Sequence, residues 1–316
     1  MSDDHEGDVL VLRALGLGDA LTGVAALRGV RRAWTDRRVV LAGPAATGTW
    51  LRDLGVVDDV LVTDGLAPLA WDGTGHLAVN LHGRGPQSHR ALAATRPARL
   101  VGYATTEHPD GPTWQTDEHE VTRWCRLVTS VGGPCDASDL RLAVPPDTST
   151  APGTVLLHPG AASGSRRWPV ERWGDVARAL VDAGRDVTLT GATTEADLCA
   201  AVAEWSGRDV RVLAGTLDLP GLAGVVAGAR LLVCGDTGVA HLGTAVGTPS
   251  VLLFGPTPPR WWGPAIDADR HAVLWHGHPH RPGDPHGSDV DPALAAITVD
   301  EVLDAVAAVL AAPDPG

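Results

Sequence analysis

Arg230-Leu231-Leu232-Val233-Cys234-Gly235-Asp236-Thr237-Gly238-Val239-Ala240-His241 reads as a buried strand, a tight polar turn and the opening of a helix. The unbroken apolar run Leu231 to Cys234 suits a strand covered on both faces, the usual condition of a parallel sheet. Gly235 to Gly238 forms the turn, and helical character continues from Val239 to Val246. A strand that passes through a glycine turn into a helix leaves unpaired backbone N–H groups beyond its carboxyl end, where an anion can sit. The Thr237 hydroxyl adds a donor there, and His241 falls one turn inside the helix on the side that could reach the same anion. Asp236 either orients that histidine or caps the helix.

The same rhythm extends in both directions. Towards the N-terminus, strands are expected over 154–158, 186–190 and 210–214, with helices over 170–183, 195–206 and 219–227; Ser250–Phe254 is the following strand. Before Pro145-Pro146-Asp147-Thr148-Ser149-Thr150-Ala151-Pro152-Gly153, the clearest linker, a second array precedes it. It has strands over 8–13, 38–42, 60–62 and 77–81, with helices over 20–33 and 46–54. Strands alternating with helices predict parallel sheets with helices on both faces. The fold class is therefore α/β, two Rossmann-like doubly wound domains facing a central cleft. The expected boundaries are residues 1–148, 153–298 and a closing helical segment 299–316.

Composition narrows the function. A chain of 316 residues accommodates two ordinary domains, and 44% apolar with 20% charged residues is a globular balance. The formal charge is −13 and every basic residue is arginine, so general nucleic-acid binding is excluded as an expectation, and any anion site must use guanidinium or backbone N–H groups. No apolar run approaches the roughly 20 residues of a membrane span, and Met1–Glu6 is acidic where a secretory signal is basic. The expectation is a cytoplasmic protein with at most peripheral membrane contact. Cys125, Cys135, Cys199 and Cys234 form no CxxC pair, so neither metal nor cofactor is expected.

Three further strand ends carry chemistry. Gly16-Leu17-Gly18-Asp19 follows the first strand; it lacks the third glycine of the dinucleotide fingerprint, and a carboxylate there disfavours phosphate. Asp19 is either a helix cap or a general base. His158-Pro159-Gly160-Ala161-Ala162-Ser163-Gly164-Ser165-Arg166-Arg167-Trp168-Pro169 offers small residues and two arginines, a diphosphate cradle or an exposed basic pair. Gly255-Pro256-Thr257 begins a loop that either closes over a ligand or is a rigid connection.

These residues resemble glycosyltransferase family nine, the ADP-heptose:lipopolysaccharide heptosyltransferases and their relatives. Leu17-Gly18-Asp19-Ala20-Leu21 is similar to the family's Leu-Gly-Asp turn, and Asn80-Leu81-His82-Gly83-Arg84-Gly85-Pro86-Gln87-Ser88 to its acceptor-side loop. Arg166-Arg167-Trp168-Pro169 looks like its Lys-x-Trp-Pro motif, while Gly235 to His241 and Phe254 to Thr257 match most specifically. The resemblance implies the GT-B architecture, with the last helix crossing back to the N-domain. It implies an inverting, metal-independent transfer of a sugar, heptose from ADP-heptose first among them, from a nucleotide diphosphate donor to a saccharide or small-molecule acceptor. Asp19 would be the catalytic base. Arg166, Glu195, Asp236, Thr237, Gly238 and His241 would bind the donor, with Gly160, Gly255, Pro256 and Thr257 in donor-side loops. Gly18, Arg84, Gln87 and His119 would lie on the acceptor side, with His82 and His119 as reserve candidates for the base.

Three features depart from the pattern. Arginine replaces the motif lysine, a fork for a point charge. Histidines 276, 278, 280 and 286 occupy a late segment where the family often has cysteines. The basic cluster Arg28, Arg31, Arg32, Arg37 and Arg38 lies at the end of the first sheet away from the strands' carboxyl ends, poorly placed for a phosphorylated lipid acceptor. The competing classes are a non-catalytic nucleotide-sugar-binding protein, an NAD-dependent oxidoreductase, which would need the absent GxGxxG fingerprint, and a metal-binding protein using the late histidines.

Overall fold

The computed structural model describes residues 7–144 and 149–312. The acidic N-terminal hexapeptide and Pro145–Thr148 of the linker lie outside the described residues. Two units divide between Leu140 and Arg141, ahead of the Pro-rich stretch. The reason is local: Arg141 donates to the Thr244 carbonyl at 2.8 Å, and the Leu142 amide donates to the Ala245 carbonyl at 2.9 Å. The chain is thus fastened to the second unit before the prolines begin.

In the first unit the elements run β1 (Val9–Leu12), α1 (Leu17–Thr22), α2 (Val24–Ala33), β2 (Val39–Gly43), α3 (Ala45–Asp53), β3 (Asp59–Val62), β4 (Leu77–Asn80), α4 (Gln87–Ala93), β5 (Arg99–Val101) and α5 (Glu120–Thr129). The sheet is parallel in the order β3-β2-β1-β4-β5. Strand β1 is central and wholly buried, which is why its sequence is apolar without alternation. The chain builds outward from β1 through β2 to β3, then returns to lay β4 on the other side. The order therefore reverses between β1 and β4, and ligands of such sheets bind beyond the carboxyl ends of the strands at that reversal.

The helix expected over 20–33 is two helices that meet at Gly23. A Cβ at residue 23 would sit 2.8 Å from both Cδ and Nε of Arg13. Glycine is required there because the Arg13 side chain, 1% exposed, passes directly beneath the junction.

The second unit contains β6 (Val155–His158), α6 (Val170–Asp182), β7 (Val187–Leu189), α7 (Ala196–Ser206), β8 (Arg211–Val212), α8 (Leu219–Ala227), β9 (Leu231–Gly235), α9 (Gly238–Val246), β10 (Ser250–Phe254), α10 (Pro259–Trp262), β11 (His271–Trp275), α11 (Pro292–Ala296) and α12 (Val299–Ala311). Its sheet, again parallel, has the order β11-β10-β9-β6-β7-β8, with the reversal between β6 and β9. The two strand ends read as anion-competent are thus neighbours, His158 lying in register with Cys234.

The resemblance places the closing helix on the first domain. The apolar side chains that α12 buries, Val302 and Val306, join the core of the second unit, with Trp168, Trp173, Val233 and Leu253. Its approach is fixed by hydrogen bonds. Trp168 Nε1 donates to the Ile297 carbonyl at 3.2 Å, and Arg172 Nη1 donates to the carbonyls of Ala295 and Ile297, each at 2.6 Å. A capping box between Thr298 and Glu301 starts the helix.

Candidate functional site

At the reversal of the second sheet, the loop after β6 crosses to the loop after β9. Arg166, half-buried at the end of a 3₁₀ turn (Gly164–Arg166), donates from Nη1 to the Asp236 carbonyl at 3.2 Å and from Nε to the Ser163 hydroxyl at 3.2 Å. Its Nη2 has no partner among the described residues. The neighbouring Arg167 is exposed and folds back onto the Ala161 carbonyl at 2.8 Å. Of the two arginines, Arg166 is therefore the one built into the site.

Thr237 occupies the N-cap of α9 in extended backbone, yet its side chain makes no capping bond. Its Oγ1 is buried, caps no backbone N–H, and has the thiol of Cys234 as a weak hydrogen-bonding neighbour. A buried hydroxyl at a helix N-terminus ordinarily satisfies a backbone N–H; with only a weak thiol beside it, this one keeps hydrogen-bonding capacity for a ligand. Asp236, next to it, is buried and precedes the cap, so it is not the capping residue. Gly238 is the first helical residue, and His241 packs edge-on against Trp262 of α10 with ring centroids 5.8 Å apart. Trp262 was not among the residues singled out in sequence; only its place in the loop after β10 pointed to it.

On the other flank, Gly160 lies against the Glu195 carboxylate, so closely that a Cβ would come within 2.2 Å of it. Glu195 also accepts from the Ala192 amide at 2.8 Å, which aims it across the strand end. Beneath them the His158 imidazole shares a 3.0 Å hydrogen bond with Thr190, and burial pushes its pKa down against the opposing pull of Glu195. Gly255, Pro256 and Thr257 are buried rather than a free flap. The Gly255 carbonyl accepts from Trp275 Nε1 at 3.0 Å, and the Pro256 carbonyl from the Gly283 amide at 2.9 Å.

In the first unit, Gly16 is the N-cap of α1, and Asp19 is the third residue of the helix, half-buried. Arg13 is the residue that sequence reasoning missed. Its guanidinium donates from Nε to the Asp19 carbonyl, from Nη1 to the Leu81 carbonyl and from Nη2 to Thr22 Oγ1 at 2.9 Å. It thereby ties the turn after β1 to the end of β4. Asp19 Oδ1 lies 3.9 Å and Glu120 Oε1 3.5 Å from Nη2, and the Trp124 ring lies 5.0 Å from Cζ. Burial acts to lower the Arg13 pKa, and the two carboxylates oppose it. A buried cation needs such partners, since an unpaired one costs several kcal/mol. The available signal was an arginine ending an otherwise apolar strand.

His82 is also at this reversal. Its Nδ1 accepts from the Ala14 amide at 3.2 Å, and its own amide donates to Asn80 Oδ1 at 3.0 Å. Fully buried Asn80 in turn donates to the Gly83 carbonyl and to Ser88 Oγ, which shapes the loop. Burial and then Arg13 push the His82 pKa down. Gly18 lies within α1; Arg84 and Gln87 are exposed, the latter opening α4. His119 caps α5, with Nδ1 accepting from the Val121 amide at 3.2 Å.

The basic cluster of the first unit is matched with acid. Arg28 and Arg32 share Asp139 at 2.7 Å each, Arg31 pairs with Asp58 at 2.7 Å and Arg38 with Asp59 at 3.0 Å. Among the late histidines, His276 pairs with Glu301 at 2.8 Å, and all four are exposed. Among the described residues, no group of three or more His, Cys, Asp or Glu side chains could hold a metal ion, and no helix is long and apolar enough to cross a membrane.

Both units are parallel doubly wound α/β sheets, and the second carries Arg166 and the buried Thr237 hydroxyl at its sheet reversal. Residues 114–282 match the model of glycosyltransferase family 9 (heptosyltransferase). The chain is 36% identical over 114 residues to lipopolysaccharide heptosyltransferase 1 of Pseudomonas aeruginosa, a match covering 36% of this chain and 31% of that one. In that match the chain spans about a third of the relative's length. Its fold is shared with a glycosyltransferase of family 9 from Veillonella parvula (TM-score 0.79, 19% identity, 98% of each chain). The Escherichia coli ADP-heptose lipopolysaccharide heptosyltransferase II is also similar (TM-score 0.76, 18% identity, 96% of this chain and 98% of that one). The fold class is thus GT-B, and the chain belongs to glycosyltransferase family 9.

Proposed function

We propose that the protein is an inverting glycosyltransferase that moves a sugar from a nucleoside diphosphate donor to a hydroxyl of a saccharide or small-molecule acceptor. The observation that carries this reading is the pairing of Arg166 with the strand end that bears Thr237. A guanidinium with a donor to spare, a buried hydroxyl that caps no backbone N–H and the N-terminus of α9 meet at one sheet reversal. Together they suit a diphosphate, whose charge grows as the sugar departs. Glu195, a carboxylate on the flank, suits ribose hydroxyls, to which it can only accept. Asp19 is the residue we assign as the base that takes the acceptor's proton.

Heptose from ADP-heptose is the donor we favour. The similar proteins include an ADP-heptose lipopolysaccharide heptosyltransferase, and family 9 is described as heptosyltransferase. The test is calorimetric titration with ADP-heptose, then with other ADP-, GDP- and UDP-sugars. Tightest binding to ADP-heptose supports the assignment. Preference for another sugar would redirect the donor, and failure to bind any nucleotide sugar would sink the reading.

A further inference from the structure

We infer that Ser163 is a positioning residue, through which the late segment Gly283–Asp291 sets the Arg166 fork at the donor site. The inference rests on the donor reading above and adds to it a residue and a segment that the reading does not use.

The hydroxyl of Ser163 is fully committed. Its one proton goes to the Pro285 carbonyl at 2.5 Å, and its oxygen accepts from Arg166 Nε at 3.2 Å. Ser165 Oγ, 3.3 Å away, occupies the remaining acceptor direction. The path therefore runs from the Pro285 carbonyl through one hydroxyl to the guanidinium, whose Nη1 is bound to the Asp236 carbonyl. With Nε and Nη1 both held, the plane of the fork is fixed and Nη2 is left to face a ligand. A long arginine side chain otherwise loses considerable rotamer entropy when it binds, so holding it beforehand favours affinity.

The Gly283–Asp291 segment is anchored well enough to do this. The Ser165 amide donates to the Gly287 carbonyl at 3.0 Å, and the Asp291 amide to the Ser165 carbonyl at 3.2 Å. The Gly283 amide donates to the Pro256 carbonyl at 2.9 Å, so the same segment also holds the loop after β10. Gly164 packs on the Ser288 carbonyl with no room for a Cβ. Asp291 then caps α11 through the Ala293 amide at 2.9 Å, which fixes the far end. The His- and Pro-rich stretch is in this way a brace behind two donor-side loops.

The test is a double-mutant cycle read by calorimetry, with ADP as the probe. Arg166→Ala should weaken ADP binding about 10- to 100-fold, the range for a charge-assisted hydrogen bond. Ser163→Ala should weaken it about 3- to 10-fold, raise the donor KM more than it lowers kcat, and be rescued by Ser163→Thr. In the Arg166→Ala background, Ser163→Ala should have no further effect, because its route runs through that arginine. Melting temperatures of each variant separate a fold defect from lost positioning, and Ser163→Cys, nearly isosteric with a weaker acceptor, replaces Ser163→Ala should the latter not fold. An unmoved affinity in Ser163→Ala, or effects that multiply in the double variant, would overturn the relay alone. Unchanged ADP affinity in Arg166→Ala would instead overturn the donor reading, so the two failures are distinguishable.

Discussion

The backbone amide of Ala14 donates to Nδ1 of His82 across 3.2 Å, which joins the turn after β1 to the loop after β4. An imidazole nitrogen that accepts from an amide carries no proton, so the neutral ring holds its hydrogen on Nε2. Burial and Arg13 both favour that neutral form. His82 is accordingly a hydrogen-bond donor to whatever lies above the sheet, not a base. His119 uses Nδ1 in the same way, on the Val121 amide. Of the three candidates for the base, Asp19 is therefore the one we propose. His82→Gln, which keeps a donor at the end of the side chain, should preserve most of the turnover and leave the shape of the pH–rate profile unchanged. Loss of the profile's acidic limb in that variant would mean that His82 is the group being deprotonated.

Stability should fall on mild acidification. His89 and His271 are buried, and burial is the first cause that lowers each to about 4. For His271 the facing cations Arg141 and Arg270 add to the effect and Asp269 opposes it. In the unfolded chain a histidine takes up its proton near 6.5. Between those values the unfolded state binds more protons, so stability is complete above about pH 6.5 and is lost as pH falls towards about 4. His271 shares a 2.8 Å hydrogen bond with Ser250, which asparagine can partly replace without titrating. The melting temperature of His271→Asn should therefore depend less on pH across this window than that of the parent. Equal slopes would remove His271 from the account.

Most of the sheet framework is legible in the sequence because its strands are buried on both faces and read as unbroken apolar runs, as in Val9–Leu12 and Leu231–Gly235. What was not legible has particular causes. Helix α5 places Glu120 and Arg123 in its buried face, where apolar periodicity would ordinarily reveal a helix. Strand β5 is three residues long and begins with an exposed arginine, and β11 begins with a buried histidine. The candidate-site residues Arg166, Thr237 and Gly238 were legible because they follow strands in short glycine-containing turns. Arg13 and Ser163 were not, since their importance lies in partners distant in sequence, Leu81 and Glu120 for one and Pro285 for the other.

Turnover is expected to survive removal of divalent ions. The charge on a departing diphosphate can be met by Arg166, Thr237 and the N-terminus of α9. The sequence has two Asp-x-Asp triplets that could otherwise hold a metal–diphosphate complex, Asp267-Ala268-Asp269 and Asp289-Val290-Asp291, and a carboxylate of each has other work. Asp267 is paired with Arg141, and Asp291 caps α11. Activity assayed in EDTA should match activity in magnesium. Activity that disappears in EDTA and returns with magnesium or manganese would require a different account of the leaving group.

The sharpest test concerns Asp19, and it must separate a base from a structural charge. Asp19 and Glu120 both face the buried Arg13, with Glu120 the nearer at 3.5 Å against 3.9 Å. Glu120 also accepts from Trp124 Nε1 at 2.7 Å and is bound to Arg123. Removing the Glu120 charge thus strips two buried guanidiniums of a partner, and Glu120→Gln should cost about 3 kcal/mol or more in stability. Asp19→Asn leaves Arg13 its nearer carboxylate and its backbone acceptors, so its stability cost should be the smaller. Its effect on rate should be the larger. General-base assistance contributes about 10²–10⁴-fold, and Asp19→Asn should lower kcat by that factor while ADP affinity stays unchanged. Glu120→Gln, assayed below its lowered melting temperature, should retain far more of the parent's turnover. If the two variants instead lose turnover in proportion to their loss of stability, Asp19 is a counter-charge for Arg13 and the base lies elsewhere in the first unit.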